Sequence, residues 1–299
     1  VAWLIAPFSL DLVQRAVAGG ALVAILCGVV GTWVVIRGMA FLGEALGHGM
    51  LPGVALATVA GLPVLLGATV SAVAMSVGIG ALQRRGRLSY DTSIGMLFVA
   101  MLALGVIVIS HSGSFATDAS AILFGDILAI SAADLLTLLA ATCAGVICAV
   151  AFHRSLVALA IDPRLAAALN LGPRLAQSVL VGLVTLAVVA SYQAVGSLLV
   201  VGLLIAPAVA ASRWTRRIPT TMVLASAIGI SAVAGGLLLS WHAGTAAGAS
   251  IAFLAVVLAG ASWAARAVHD AIRSRTPSRE PARAGSHIED IPTALERTS

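Results

Sequence analysis

Long apolar runs with almost no charge inside them constrain this chain more than any other feature. Charged residues fill 10% of its 299 positions and AVILMFWYC residues 60%, against about 25% charge in a typical soluble domain. A helix needs about 20 apolar residues to cross the hydrocarbon core of a bilayer. Punctuation by Arg, Pro and Gly divides the chain into nine segments of that kind: 16–36, 40–60, 63–83, 93–110, 133–152, 174–192, 195–212, 220–240 and 247–268. A further apolar piece, Ala121 to Ile130, is too short to cross and reads as re-entrant or interfacial. The expectation is an all-α polytopic membrane protein of about nine transmembrane helices. The first segment has no basic leader or cleavage site and reads as a span, not a signal peptide. Residues 1–268 form the membrane domain, and 269–299, rich in Arg, Ser, Pro, Glu and Asp, read as a disordered cytoplasmic tail.

All 17 basic residues are Arg. If the chain starts outside, the inner connections are 37–39, 84–92, 153–173, 213–219 and the tail. Every arginine but Arg15 then falls in or beside one of them. Arginine collects on the cytoplasmic side of a membrane, so the N-terminus is expected outside and the C-terminus inside. The basic balance is an orientation signal, not a nucleic-acid surface, since the interleaved aromatics needed to stack bases are missing.

Several activities are excluded. Without Lys there is no Walker A site and no Schiff-base chemistry. HExxH and GxSxG are also absent, which leaves an intramembrane Ser–His hydrolase only formally open. Any ATPase must be another subunit. Cys27, Cys143 and Cys148 sit in apolar runs and read as small fillers.

The second segment opens RGMAFLGEALGHGMLPGVALA. Glu44 and His48 are four residues apart and share a helix face. A carboxylate in a span costs about 2.5–3.5 kcal/mol on insertion scales and must meet protein or a watery path. Carboxylate plus imidazole suits a first-row divalent metal. The competing reading has Glu44 snorkelling to pair with Arg37 and His48 as a packing residue. Gly43, Gly47, Gly49 and Gly53 allow close helix approach. Pro52 frees the carbonyl of His48 as an oxygen ligand or a hinge. Asp126, Gln193, His111, His242, His153, His269 and His287 read as terminal or solvated groups. In the connection 153–173, Asp162 and Pro163 start a helix and Gly172-Pro173 stop it, predicting a short helix over 164–171. It either rests on lipid or docks a cytoplasmic partner.

The second-segment motif resembles the signature of metal-uptake ABC permeases of the zinc/manganese (ABC-3) family, R-x-M-A-x-x-G-D-A-x-S-H-x-x-L-P-G-V-A. ILFGDILAIS and VGSLLVVGLLIAPAVAA resemble two further family stretches in the right order, and the likeness spans roughly 10–265. The resemblance implies a non-enzymatic permease in a bacterial cell membrane. It implies a second copy of the chain, two cytoplasmic ATP-binding subunits and an extracytoplasmic metal-binding protein as partners. Glu44 and His48 would be the pathway residues. Asp162, Pro163, Arg164, Leu165, Ala168, Leu169 and Gly172 would form the coupling helix. Two departures stand out: Glu44 replaces the usual Asp, and Gly47 the usual Ser. The expected cargo is Zn²⁺, favoured over Mn²⁺, with no permanently bound cofactor. An ion-coupled secondary transporter, with Glu44 carrying a proton, is the alternative.

Overall fold

The computed structural model describes residues 10–84, 89–112 and 127–275. Among them every long element is a helix. They are α1 (Asp11–Ile36), α2 (Ala40–Gly49), α3 (Leu51–Ala60), α4 (Val64–Arg84), α5 (Tyr90–Ser112), α6 (Ala132–Ala151), α7 (His153–Ile161), α8 (Pro163–Ala168), α9 (Pro173–Ser212), α10 (Ile218–Ala243) and α11 (Ala247–Arg275).

Helix α1 is the axis. Of the residues in its most apolar stretch 72% are buried, whereas in that of α11 only 11% are, so α1 lies inside the bundle and α11 at its periphery. Lipid tails supply no hydrophobic drive between helices, so close van der Waals contact through small residues must do so. Gly31 meets the carbonyl of Leu204 on α9, and Gly28 meets the backbone of Ser226 on α10. Trp33, Leu26, Leu42, Leu46 and Met75 fill the fully buried centre.

Seven helices are long and apolar enough to cross a bilayer, against the nine segments expected. The difference has two causes. Segment 40–60 is broken at Met50, where Pro52 at the start of α3 cannot continue the ladder. The second arm of α9 leaves only a short apolar helix, Leu199–Ser212. The two arms meet at Gly196, whose φ of 72° and ψ of 167° are open to glycine alone. Arg37 at the end of α1 bonds Gln177 on the first arm, and Leu26 and Leu186 both lie against Gly145. On the second arm Leu204 meets Gly31, and Ala208 and Ala211 pack with Val35. The first arm therefore runs against α1 and the second runs with it.

These contacts gather Arg37, α7, α8, the start of α9 and the α9–α10 turn at one end of the bundle. Trp214 of that turn bonds Ser262 of α11 at 2.8 Å and lies under Arg266. At the other end, Ile127 and Ile130 pack against Gly20 and Gly19 of α1, near Arg15, which pairs with Asp11 at 2.7 Å. The helix of α11 continues past His269 to Arg275, into the stretch read as tail. Asp126 and His287 lie outside the described residues.

Candidate functional site

Gly38, at φ 64°, reverses the chain after α1 into α2, tied by the Met39 N–H donating to the Val34 carbonyl at 2.9 Å. At 1.5 Å per residue, Glu44 and His48 then stand about 6 and 12 Å above Ala40. The structure brings them together: His48 Nε2 lies 2.9 Å from Glu44 Oε1. The opposite face of α2 is sealed. Leu42, Ala45 and Leu46 are fully buried, Gly43 rests on Leu204 of α9, and Gly49 rests on Met75 of α4. Phe98 of α5 closes one flank, its ring 5.8 Å from His48 and 5.5 Å from Phe41.

The pair is not sealed in turn. The side chains of Glu44 and His48 keep 40% and 25% of their surface open. A polar couple open on the side of a membrane helix needs water or more protein in front of it. Arg37 does not neutralise Glu44, contrary to the snorkelling alternative. Its Nη1 donates to the Leu159 carbonyl at 2.7 Å and its Nη2 to Gln177 Oε1 at 3.2 Å.

The break after His48 is held from outside. The Gly49 carbonyl accepts from Ser71 Oγ of α4 at 2.8 Å. Four residues on, Gly53 of α3 and Gly67 of α4 cross backbone to backbone. Neither Phe98 nor Ser71 was legible as a site residue, because both arrive by tertiary packing from unremarkable apolar runs.

Among the described residues no three of His, Cys, Asp and Glu converge in a metal-binding group. One chain thus offers two side-chain ligands, short of the four of a tetrahedral ion or the six of an octahedral one. Cys27 is buried and free. His153 stacks edge-on to Trp33, exposed His242 lies 2.8 Å from the Leu238 carbonyl, and His269 sits 3.6 Å from Asp270, so none joins the pair. The side chains of His111 and Gln193 lie outside the described residues.

The 153–173 connection folds as two helices, α7 and α8. The expected helix over 164–171 is shorter, Pro163–Ala168. Asp162 caps it, its Oδ1 accepting from the Arg164 N–H at 2.7 Å. Asn170 at φ 55° and Gly172 at φ 57° end it. Ile161, Leu165 and Leu169 are exposed around it.

Comparison with known proteins agrees along nearly the whole chain. The manganese transport system membrane protein MntC of Halalkalibacterium halodurans is 35% identical over 250 residues, covering 84% of this chain and 86% of that protein. A probable iron transport system membrane protein of Haemophilus influenzae is 32% identical over 253 residues, covering 84% and 93%. The solved structure of PsaBC from Streptococcus pneumoniae, in complex with Fab, superposes with a TM-score of 0.76 at 31% identity, covering 87% of this chain and 94% of that one. Such relatives are transport-system membrane proteins and not enzymes, which sets the hydrolase aside. The ABC 3 transport family profile matches residues 9–265, and this multi-pass bacterial membrane protein belongs to that family.

Proposed function

We propose that the chain is the membrane-spanning permease subunit of an ATP-driven importer for a divalent transition metal, with Glu44 and His48 as the ligands that touch the cargo. The observation that carries this is the 2.9 Å carboxylate–imidazole couple, held one to two turns into α2 and left partly open. Two ligands are too few for one ion, and a second copy of the chain placed against that opening doubles them. The pair must bind weakly, because a tight site would trap the ion.

The gathering of Arg37, Arg154, Arg164, Arg174, Arg213 and Arg266 at one end supports placing that end in the cytoplasm. The N-terminus then lies outside, the two short legs complete nine passes, and the tail from 269 lies inside. On that side α8 presents Leu165 and Leu169, with Asp162, Pro163, Arg164, Ala168 and Gly172 setting its shape, as the docking element for two ATP-binding subunits. Their closure rocks the bundle between outward- and inward-facing states. An extracytoplasmic binding protein delivers the ion.

Imidazole inclines the site to zinc and carboxylate to manganese. One imidazole per chain, paired with that of a second copy, is the ground for expecting zinc. The names of the relatives, manganese and iron, make Mn²⁺ the first ion to test. The experiment is uptake into proteoliposomes holding permease, ATP-binding subunit and binding protein, with Mn²⁺, Zn²⁺ and Fe²⁺ offered separately. The proposal expects ATP-dependent uptake that Glu44→Gln abolishes. Equal uptake without the ATP-binding subunit would instead support the ion-coupled reading.

A further inference from the structure

At the arginine-rich end, Arg37 Nε and Gln83 Nε2 are buried without a hydrogen-bond partner. The Tyr90 hydroxyl is buried with them, likewise without a partner. All three residues line one cavity of about 800 Å³, together with Arg174 and with Asp91, whose carboxylate forms no ion pair with either arginine, so the two guanidinium groups outweigh it by one positive charge. Arg37 spends its two Nη groups on neutral acceptors, and no carboxylate among the described residues forms an ion pair with it. A half-buried guanidinium with an unused donor favours an anion and repels the metal cargo.

The cavity does not end there. It shares Gly80, Gln83, Gln177 and Ser178 with a second cavity of about 530 Å³ that climbs between α4 and the first arm of α9. Val73, Val77, Val181 and Val189 make that upper part an apolar slot. A Cβ added to Gly80 or Gly182 would meet nothing within 4 Å, so the slot is open beside both. Ser76 and Thr185, 2.7 Å apart, tie the two helices together beside it.

We infer that an anionic phospholipid occupies this continuous groove, its phosphate on Arg37, Arg174 and Gln83 and one acyl chain along the α4–α9 slot. A small anion would leave the slot empty, and an apolar peptide would leave the donors unmet. An amphipathic anion satisfies both. The arginines also lie at the end of the bundle where headgroups would be. This inference is independent of the cargo.

The full-length chain is reconstituted in phosphatidylcholine nanodiscs containing a minority of phosphatidylglycerol, then extracted gently and read by native mass spectrometry. Each arginine near a headgroup contributes about a fivefold preference and the Asp91 carboxylate offsets one of the two, which predicts about fivefold enrichment of one retained phosphatidylglycerol over phosphatidylcholine. Arg37→Gln should abolish that enrichment, because Arg174 and Asp91 then cancel. Gly182→Leu, which fills the slot without touching a polar group, should also lose it. Retention of phosphatidylglycerol by both variants at the wild-type level would overturn the inference. So would loss in Arg37→Gln alone combined with competition by inorganic phosphate, which would mark a free-anion site. A disulfide between two copies of a Val77→Cys variant would also overturn it, by showing a second chain in the slot.

Discussion

Gly53→Ala tests how the Glu44–His48 pair, the proposed metal ligands, is held. A Cβ at Gly53 would run into the Gly67 carbonyl oxygen and stand 2.6 Å from Ser71 Cβ and 2.8 Å from the Gly67 carbonyl carbon. Carbon atoms sit comfortably at about 3.5–4.0 Å, so α3 and α4 must part by about 1 Å. The obstacle is backbone, which cannot rotate away. Overpacking of this kind costs about 1–3 kcal/mol. Ser71 also donates to the Gly49 carbonyl, the residue after His48. Losing that bond adds about 0.6 kcal/mol, the average for a polar contact between membrane helices. The loss falls at the break that aims His48, so it should reach the ion. Disturbing the groups that orient metal ligands lowers affinity about 10–100-fold. The assay pairs thermal unfolding of the detergent-solubilised chain with Mn²⁺ uptake in the full transporter. The expected result is a lower Tm and uptake that needs at least about tenfold more ion. Gly95→Ala is the control, because its Cβ would meet nothing within 4 Å. Wild-type Tm and uptake in Gly53→Ala would refute the argument that this crossing positions His48.

Gly196→Ala should cost about 1–3 kcal/mol, because φ 72° with ψ 167° excludes a side chain; lower yield of folded protein in membranes checks it. Asp162→Ala removes the cap of α8 and should cost about 1 kcal/mol locally, with Asp162→Asn restoring most of it. Its readout is ATPase stimulation by the permease, with insertion unchanged. Leu165→Asp with Leu169→Asp places charge on the exposed face of α8 and should abolish binding of the ATP-binding subunit, measured by co-purification. Ser71→Ala should reproduce the affinity loss of Gly53→Ala but with a smaller fall in Tm, since it removes the bond to Gly49 without forcing helices apart.

Much of the fold was legible because lipid leaves few choices for a chain of this composition. Arg37, Arg174 and Arg213 marked the ends of legs that do gather at one end. The face shared by Glu44 and His48 followed from their spacing, and the 2.9 Å contact realises it. Helix length was less readable. Pro52 has no N–H to offer the His48 carbonyl, while the bond from Ser71 to the neighbouring Gly49 carbonyl comes from tertiary packing and had no signal in the sequence. The run 195–212 looked like a full span, yet the conformation at Gly196 makes it the returning arm of a hairpin that leaves too few residues to cross by length alone. The 153–161 stretch was not expected as a separate helix; α7 follows from packing of Leu156 and Leu159 on the bundle. The company of Arg37 was hidden as well. Gln83, Tyr90 and Gln177 are distant in sequence, and only the meeting of α4, α5 and α9 places them around it.

Whether Glu44 and His48 touch the transported ion is most directly read by pulsed electron paramagnetic resonance of Mn²⁺ bound to the purified permease. The expected spectrum shows a directly coordinated imidazole nitrogen, lost in His48→Ala, and weaker Mn²⁺ binding in Glu44→Gln. Mn²⁺ bound with unchanged affinity and no nitrogen coupling in the wild type, or with the coupling intact in His48→Ala, would contradict it.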